Sequence, residues 1–256
     1  MTAHNRRQGR RWARNILAAQ VQRTEAISDR LLDGGAIPSW ARSTASESRI
    51  PVTLAVLAAL AMQITLSPRV QLKHHWILPT LGVVLLVVNS VGHSRTTTKV
   101  SPTLRLLGLA MIASLTTANI WSGTRLVNQL LNGHGQWGSG SARTLLFTGG
   151  AIWMTNVIVF GLWYWEFDRG GPVARAQGAP RFPDFLFPQM ESPDLAPPEW
   201  AAGFVDYLYL SFSTASAFSA TDVLPLSRRA KLIMLVQAAI SLATVALVVA
   251  RAVNIL

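Results

Sequence analysis

The chain predicts an all-α, polytopic membrane bundle of about five spans plus one short re-entrant or partly embedded helix. Two observations carry that reading. Half of the 256 residues are hydrophobic and only 14% are charged, against about a quarter charged in soluble domains. All twelve carboxylates also fall within Glu25–Glu47 or Glu166–Asp222. Ser48–Trp165 is therefore free of acids, a string of apolar runs separated by short basic or polar breaks, as bilayer-crossing helices are written.

Residues 1–49 form a basic arm. Arg6, Arg7, Arg10, Arg11 and Arg14 alternate with Trp12, Ile16 and Leu17, and a helix is expected to run to Leu32, where Asp33-Gly34-Gly35 stops it. Two roles fit equally: an interfacial helix on anionic lipid headgroups, or a solvated tail that fixes topology. The formal charge of +11 also raises nucleic acid as a partner, but nine of the 23 Lys/Arg residues sit just before the first apolar run, and no nucleic-acid-binding fold accompanies them. The lipid bilayer is the expected partner, and nucleic acid is not. Without cysteine the chain has neither disulfides nor thiolate chemistry. No cleavable signal peptide is expected, so the first span would itself direct insertion.

Residues 50–256 form the membrane domain. Spans are expected at about 51–66, 76–92, 104–131, 144–167 and 231–253. Pro51 suits the first turn of its helix, where a missing N–H costs little. Trp163-Tyr164-Trp165-Glu166 closes the fourth span as an aromatic belt. Gly133-His134-Gly135-Gln136-Trp137-Gly138 has the letters of a dinucleotide fingerprint, but it joins two apolar helices and reads as a loop. Residues 168–200, dense in proline yet carrying Phe182, Phe185, Leu186 and Phe187, should fold back as an ordered cap.

Chemistry is sparse. The histidines (His4, His74, His75, His93, His134) show no i,i+4 helical pair and no nearby acids, so neither a metal site nor a cofactor is expected. No nucleophile–base set points to an enzyme. The acids Glu166, Asp168, Asp184, Glu191, Asp194, Glu199, Asp206 and Asp222 surround the last hairpin, with Arg169, Arg175, Arg181, Arg228 and Arg229 as partners. They form either a set of salt bridges or a cation-attracting vestibule. Asp206, inside an otherwise apolar segment, is either a functional carboxylate or a first-turn carboxylate favoured by the helix dipole. Ser211, Ser213, Thr214, Ser216, Ser219 and Thr221 place six hydroxyls in eleven positions, too many for a lipid-facing helix. They pack against neighbouring helices or border water. Asn89, Asn119 and Asn156 read as interhelical hydrogen-bond formers.

Thr214-Ala-Ser-Ala-Phe-Ser-Ala-Thr221-Asp222-Val-Leu-Pro225 resembles the pore loop of the potassium-channel superfamily in its leading Thr, its Asp and its Pro. The filter glycines are absent: Ser219 and Thr221 take their places, with Phe218 and Ala220 at the Val and Tyr positions. Glycine lets successive carbonyls point at an ion in conformations that Ser and Thr resist, so a selective potassium filter is not expected. Trp-Tyr-Trp-Glu, Asp-Phe-Leu-Phe-Pro-Gln-Met and Asp-Tyr-Leu-Tyr-Leu-Ser-Phe resemble a family of uncharacterised bacterial multi-pass membrane proteins from about Ile50 onward. That resemblance implies a bacterial plasma-membrane location and no established activity.

Orientation follows from charge. With a cytoplasmic N-terminus and a re-entrant 201–220 helix, 18 of the 23 Lys/Arg residues lie inside; a full crossing leaves 16 inside. The expected function is channel-like passage of ions or small solutes, compatible with a homo-oligomer. Asp206, Ser213, Thr214, Ser216, Ser219, Thr221 and Asp222 are the pathway candidates. The alternative is a non-conducting scaffold in which the same groups are structural.

Overall fold

Long runs of Leu, Val, Ile and Ala without an interior proline form the main helices, and proline marks where two of them begin. Helix α1 is Ile50–Thr65, with Pro51 in its first turn. Helix α2 is Pro102–Asn132, α3 is Ser141–Phe167 and the last helix, α7, is Arg228–Ile255. Between α3 and α7 lie the one-turn helices α4 (Pro172–Ala176) and α5 (Pro188–Glu191), then the 13-residue α6 (Phe204–Ser216). The computed structural model describes residues 39–42, 47–66, 70, 80, 82–84, 102–132, 141–178, 182–216 and 222–255. All belong to one compact unit, Ser39–Leu256.

The chain is mainly helical, and three helices are long and apolar enough to cross a membrane: Thr103–Leu130, Arg143–Gly170 and Arg228–Val253. Helix α1 is apolar but shorter. Of the expected second span, Thr80 and residues 82–84 are described and helical. A Cβ on Gly82 would lie 2.8 Å from Leu60 Cδ2, so this piece packs on α1. The rest of that span, the arm before Ser39, the five histidines, Asn89 and the Gly133–Gly138 stretch lie outside the described residues.

Helix α3 is the axis of the bundle. At the end we call the mouth, Arg105 of α2 meets Glu166 at 3.3 Å. Further along, Trp163 donates to Thr116 at 3.0 Å, and Leu126 and Leu145 share the opposite end of the core. Thus α2 runs antiparallel to α3. Helix α1 likewise starts at the mouth: Glu47, just before it, binds Trp165, whereas Met62 near its end touches Thr155. Since α1 and α2 both run away from the mouth, the chain between Leu66 and Pro102 must return to it. Helix α7 starts beside Asp184, whose carbonyl accepts Leu226 N–H, and passes Tyr164 and Asn156 before Val248 reaches Gly149.

Helix α6 departs from this pattern. It begins at the mouth and runs antiparallel to α3, with Tyr207 beside Asp168, Ser211 beside Val157 and Ala215 beside Trp153. It reaches only about 20 Å, half of the roughly 40 Å of α3. By Leu224–Pro225 the chain is back at the mouth, where these residues form a two-residue strand, β2, antiparallel to β1 (Phe185–Leu186) of the cap. A helix over 201–220 was expected from sequence. The described helix starts at Phe204, after Gly203, and residues 217–220 lie outside the described set.

The cap is anchored by Phe185 and Phe187, whereas Phe182, also expected to bury, is exposed. Phe185 and Phe187 are buried against Tyr164 and Tyr207, with ring centroids 5.1–6.3 Å apart, an edge-on arrangement that favours aromatic pairs. Helices α3 and α6 approach closely at Gly161, where a Cβ would stand 3.2 Å from Leu208 Cα. Small residues permit such backbone proximity in membrane bundles.

Candidate functional site

Two polar layers lie between α3, α6 and α7, one at the mouth and one deeper. The mouth layer grows from the end of α3. Trp165-Glu166-Phe167 is the last helical turn, and Asp168–Gly170 continues it as a 3₁₀ turn. Arg169 then takes a left-handed conformation (φ 53°), followed by Gly170 and Gly171 at φ 79° and 97°. A non-glycine residue pays about 1–2 kcal/mol for this region, and here the turn is held by hydrogen bonds. Asp168 Oδ1 accepts Asp184 N–H (2.7 Å), its Oδ2 accepts the Tyr207 hydroxyl (2.5 Å), and Arg169 N–H reaches Asp184 Oδ2 (3.2 Å). The reversal brings Arg175 of α4 back beneath the turn. Its Nη1 donates to the carbonyls of Trp165 (2.6 Å) and Asp168 (2.9 Å), and its guanidinium lies 5.0 Å from the Tyr207 ring centroid.

Asp168, Arg169, Arg175 and Tyr207 are all buried. Buried charges persist when each polar atom has a partner, and Asp168 accepts bonds from the loop and from α6. The Asp168–Tyr207 bond therefore ties the end of α3 to the start of α6. Arg49, at the same end, has its guanidinium pKa lowered by burial, with Glu166 and Glu47 opposing that shift.

The deeper layer centres on Gln237 of α7, which is fully buried. Its Nε2 donates to Ser211 O (2.8 Å) and Oγ (2.7 Å), and its Oε1 accepts the Tyr164 hydroxyl. Ser211 Oγ donates to Val157 O at 2.6 Å, and one turn further on Asn156 Nδ2 donates to Ser241 Oγ at 2.8 Å. This layer joins α3, α6 and α7 and so sets where α6 sits along α3.

The pathway candidates fall in several places. Asp206 is in the first turn of α6, where its Oδ2 accepts Gly203 N–H at 2.8 Å. That is half of a capping box, and the geometry matches the first-turn role. Burial pushes its carboxyl above the usual carboxylate range, while the Gly203 N–H draws it back. Ser213 is buried. Thr214 bonds back to Leu210 O (2.8 Å) and also meets Tyr164 of α3, and Ser216 bonds Ser213 O (3.1 Å) within α6. Asp222 is exposed at the mouth-side turn. Ser219 and Thr221 lie outside the described residues. Of the acids expected to pair, Glu166 meets Arg105, an arginine the sequence reading had not chosen.

Gln237 and Glu47 were not singled out from sequence, and Tyr164 stood only as part of the aromatic belt. Gln237 did carry a signal, as the lone amide in the apolar run Leu232–Val249. Among the described residues no group of three His, Asp or Glu side chains could hold a metal ion. No protein family, curated protein or solved structure matches the chain.

Proposed function

We propose that the protein is a channel-like, multi-pass membrane protein of five spans, with α6 as a re-entrant helix and the N-terminus in the cytoplasm. One observation carries the reading: α6 starts at the mouth, stops at half the depth of α3, and the chain is back at the mouth by Leu224. Backbone that turns within a bilayer is tolerated only where protein buries it or water reaches it. The negative end of the α6 dipole, at Ser213–Ser216, would favour a cation at mid-depth. The shared direction of α1 and α2, both running away from the mouth, supports a second span between Leu66 and Pro102, which makes five. Ser213, Thr214, Ser216, Ser219 and Thr221 would border the path, with Asp222 at its mouth.

A non-conducting scaffold is the second reading. It is favoured by the mutual satisfaction of Tyr164, Gln237, Ser211, Asn156 and Ser241, which leaves that layer closed. Reconstituted protein separates the two. Ion flux above that of empty vesicles, altered by Thr214→Val or Asp222→Asn, is the expected result. Flux equal to that of empty vesicles would refute conduction.

A further inference from the structure

We propose that Trp40 and Glu47, ahead of α1, form a detachable latch across the mouth of the α6 hairpin, with Glu47 as its pin. The residue preceding α6 is Gly203, which has no side chain to cap the free N–H groups of the first turn. The cap comes instead from a carboxylate 157 positions away: Glu47 Oε1 accepts Phe204 N–H. Glycine at 203 leaves room for it, since a Cβ there would lie 3.2 Å from that oxygen. Glu47 Oε2 accepts Trp165 Nε1–H at 2.8 Å and lies 3.9 Å from Arg175 Nη2. One carboxylate thus links the end of α3, the turn behind it and the start of α6, and as an anion it suits the positive end of the α6 dipole. Earlier in the segment, the Trp40 carbonyl accepts Arg169 Nη1–H and its ring lies 5.3 Å from that guanidinium.

The segment is held by these polar links and, among the described residues, by a single apolar side chain, Trp40, which packs partly buried on the core. Trp40, Ala41, Arg42, Glu47, Ser48 and Arg49 are each half-buried or exposed, whereas Asp168, Arg169 and Tyr207 behind them are buried. Local opening free energy is low where few apolar contacts are broken, so the latch can leave while the bundle stays closed. Its departure would uncap α6 and wet the Asp168–Tyr207 bond.

Amide hydrogen exchange on the full-length protein in lipid nanodiscs tests this. In Glu47→Ala, the peptide spanning Ala201–Leu208 should exchange about five- to tenfold faster, the effect of losing a cap, while peptides spanning Val157–Trp163 and Gln237–Thr244 keep their wild-type rates. Glu47→Gln, which keeps an acceptor for Phe204, should give a smaller rise, and it serves if the alanine variant does not fold. Unchanged exchange at 201–208, or acceleration by the same factor in all three peptides, would overturn the latch. A parallel flux measurement rests on the conduction reading. Faster local exchange with no flux in any variant would sink conduction and leave the latch standing.

Discussion

Gln237 bridges α7 to both α3 and α6, and its replacement by leucine can be worked through. The two side chains have similar volume, so Gln237→Leu removes three hydrogen bonds without opening a large cavity. Interhelical hydrogen bonds in bilayers contribute on average about 0.6 kcal/mol and at most about 1.7 kcal/mol each, so the bonds themselves account for roughly 2 kcal/mol. The Tyr164 hydroxyl, in a fully buried side chain, then keeps only Thr214 as a side-chain neighbour, and losing its Gln237 acceptor adds about 1 kcal/mol. A loss of about 2–4 kcal/mol is therefore expected, measured by equilibrium unfolding in mixed micelles. Tyr164→Phe in the same background should recover about 1 kcal/mol, because removing both partners is cheaper than stranding one. A Gln237→Leu protein within about 0.5 kcal/mol of wild type, the usual scale of a neutral surface change, with Tyr164→Phe simply additive, would refute the bridging role.

Other outcomes follow from single contacts. Arg175→Met strands the carbonyls of Trp165 and Asp168 and should lower stability by about 2–4 kcal/mol; Arg175→Lys should not restore it, since one ammonium cannot reproduce the planar fork. Gly161→Val drives a side chain into the α6 backbone at Leu208 and should cost about 1–3 kcal/mol, read by thermal unfolding in detergent. Gly171→Ala, at φ 97° and facing Glu166, should cost about 1–2 kcal/mol by the same assay. Asp206 makes stability pH-dependent. Its folded pKa lies above the unfolded one, so its contribution is full below the ordinary carboxylate range and is lost as pH rises through the raised value. Asp206→Asn should flatten that slope in unfolding measured across pH.

Much of the helical plan was legible because hydropathy over 15 or more residues is a strong signal: α2, α3 and α7 start and end within a few residues of the stretches read from composition alone. The ordered cap was legible too, because Phe185 and Phe187 in a proline-dense segment have to bury somewhere. Its attachment was not. Two-residue strands 39 positions apart, Phe185–Leu186 with Leu224–Pro225, leave no periodicity to detect. The six hydroxyls of 211–221 were conspicuous, yet their partners could not be read. Ser211 bonds a backbone carbonyl and a glutamine on another helix, and Thr214 turns back on its own helix. Asp206 stays open between two roles in the sequence, and the Gly203 N–H it accepts is a three-residue local feature. The cap at Phe204 was invisible because its carboxylate, Glu47, comes from before α1, 157 positions away.

The side of the membrane reached by Asp222 tests the re-entrant hairpin most directly. The protein has no cysteine, so Arg42→Cys, Asp222→Cys and Leu256→Cys each give one reporter for a membrane-impermeant maleimide in oriented vesicles. If α6 re-enters, Cys at 42 and at 222 label from the same side and Cys at 256 from the other. Labelling of position 222 from the side opposite to position 42 would mean that α6 crosses the bilayer, and the hairpin would have to be abandoned.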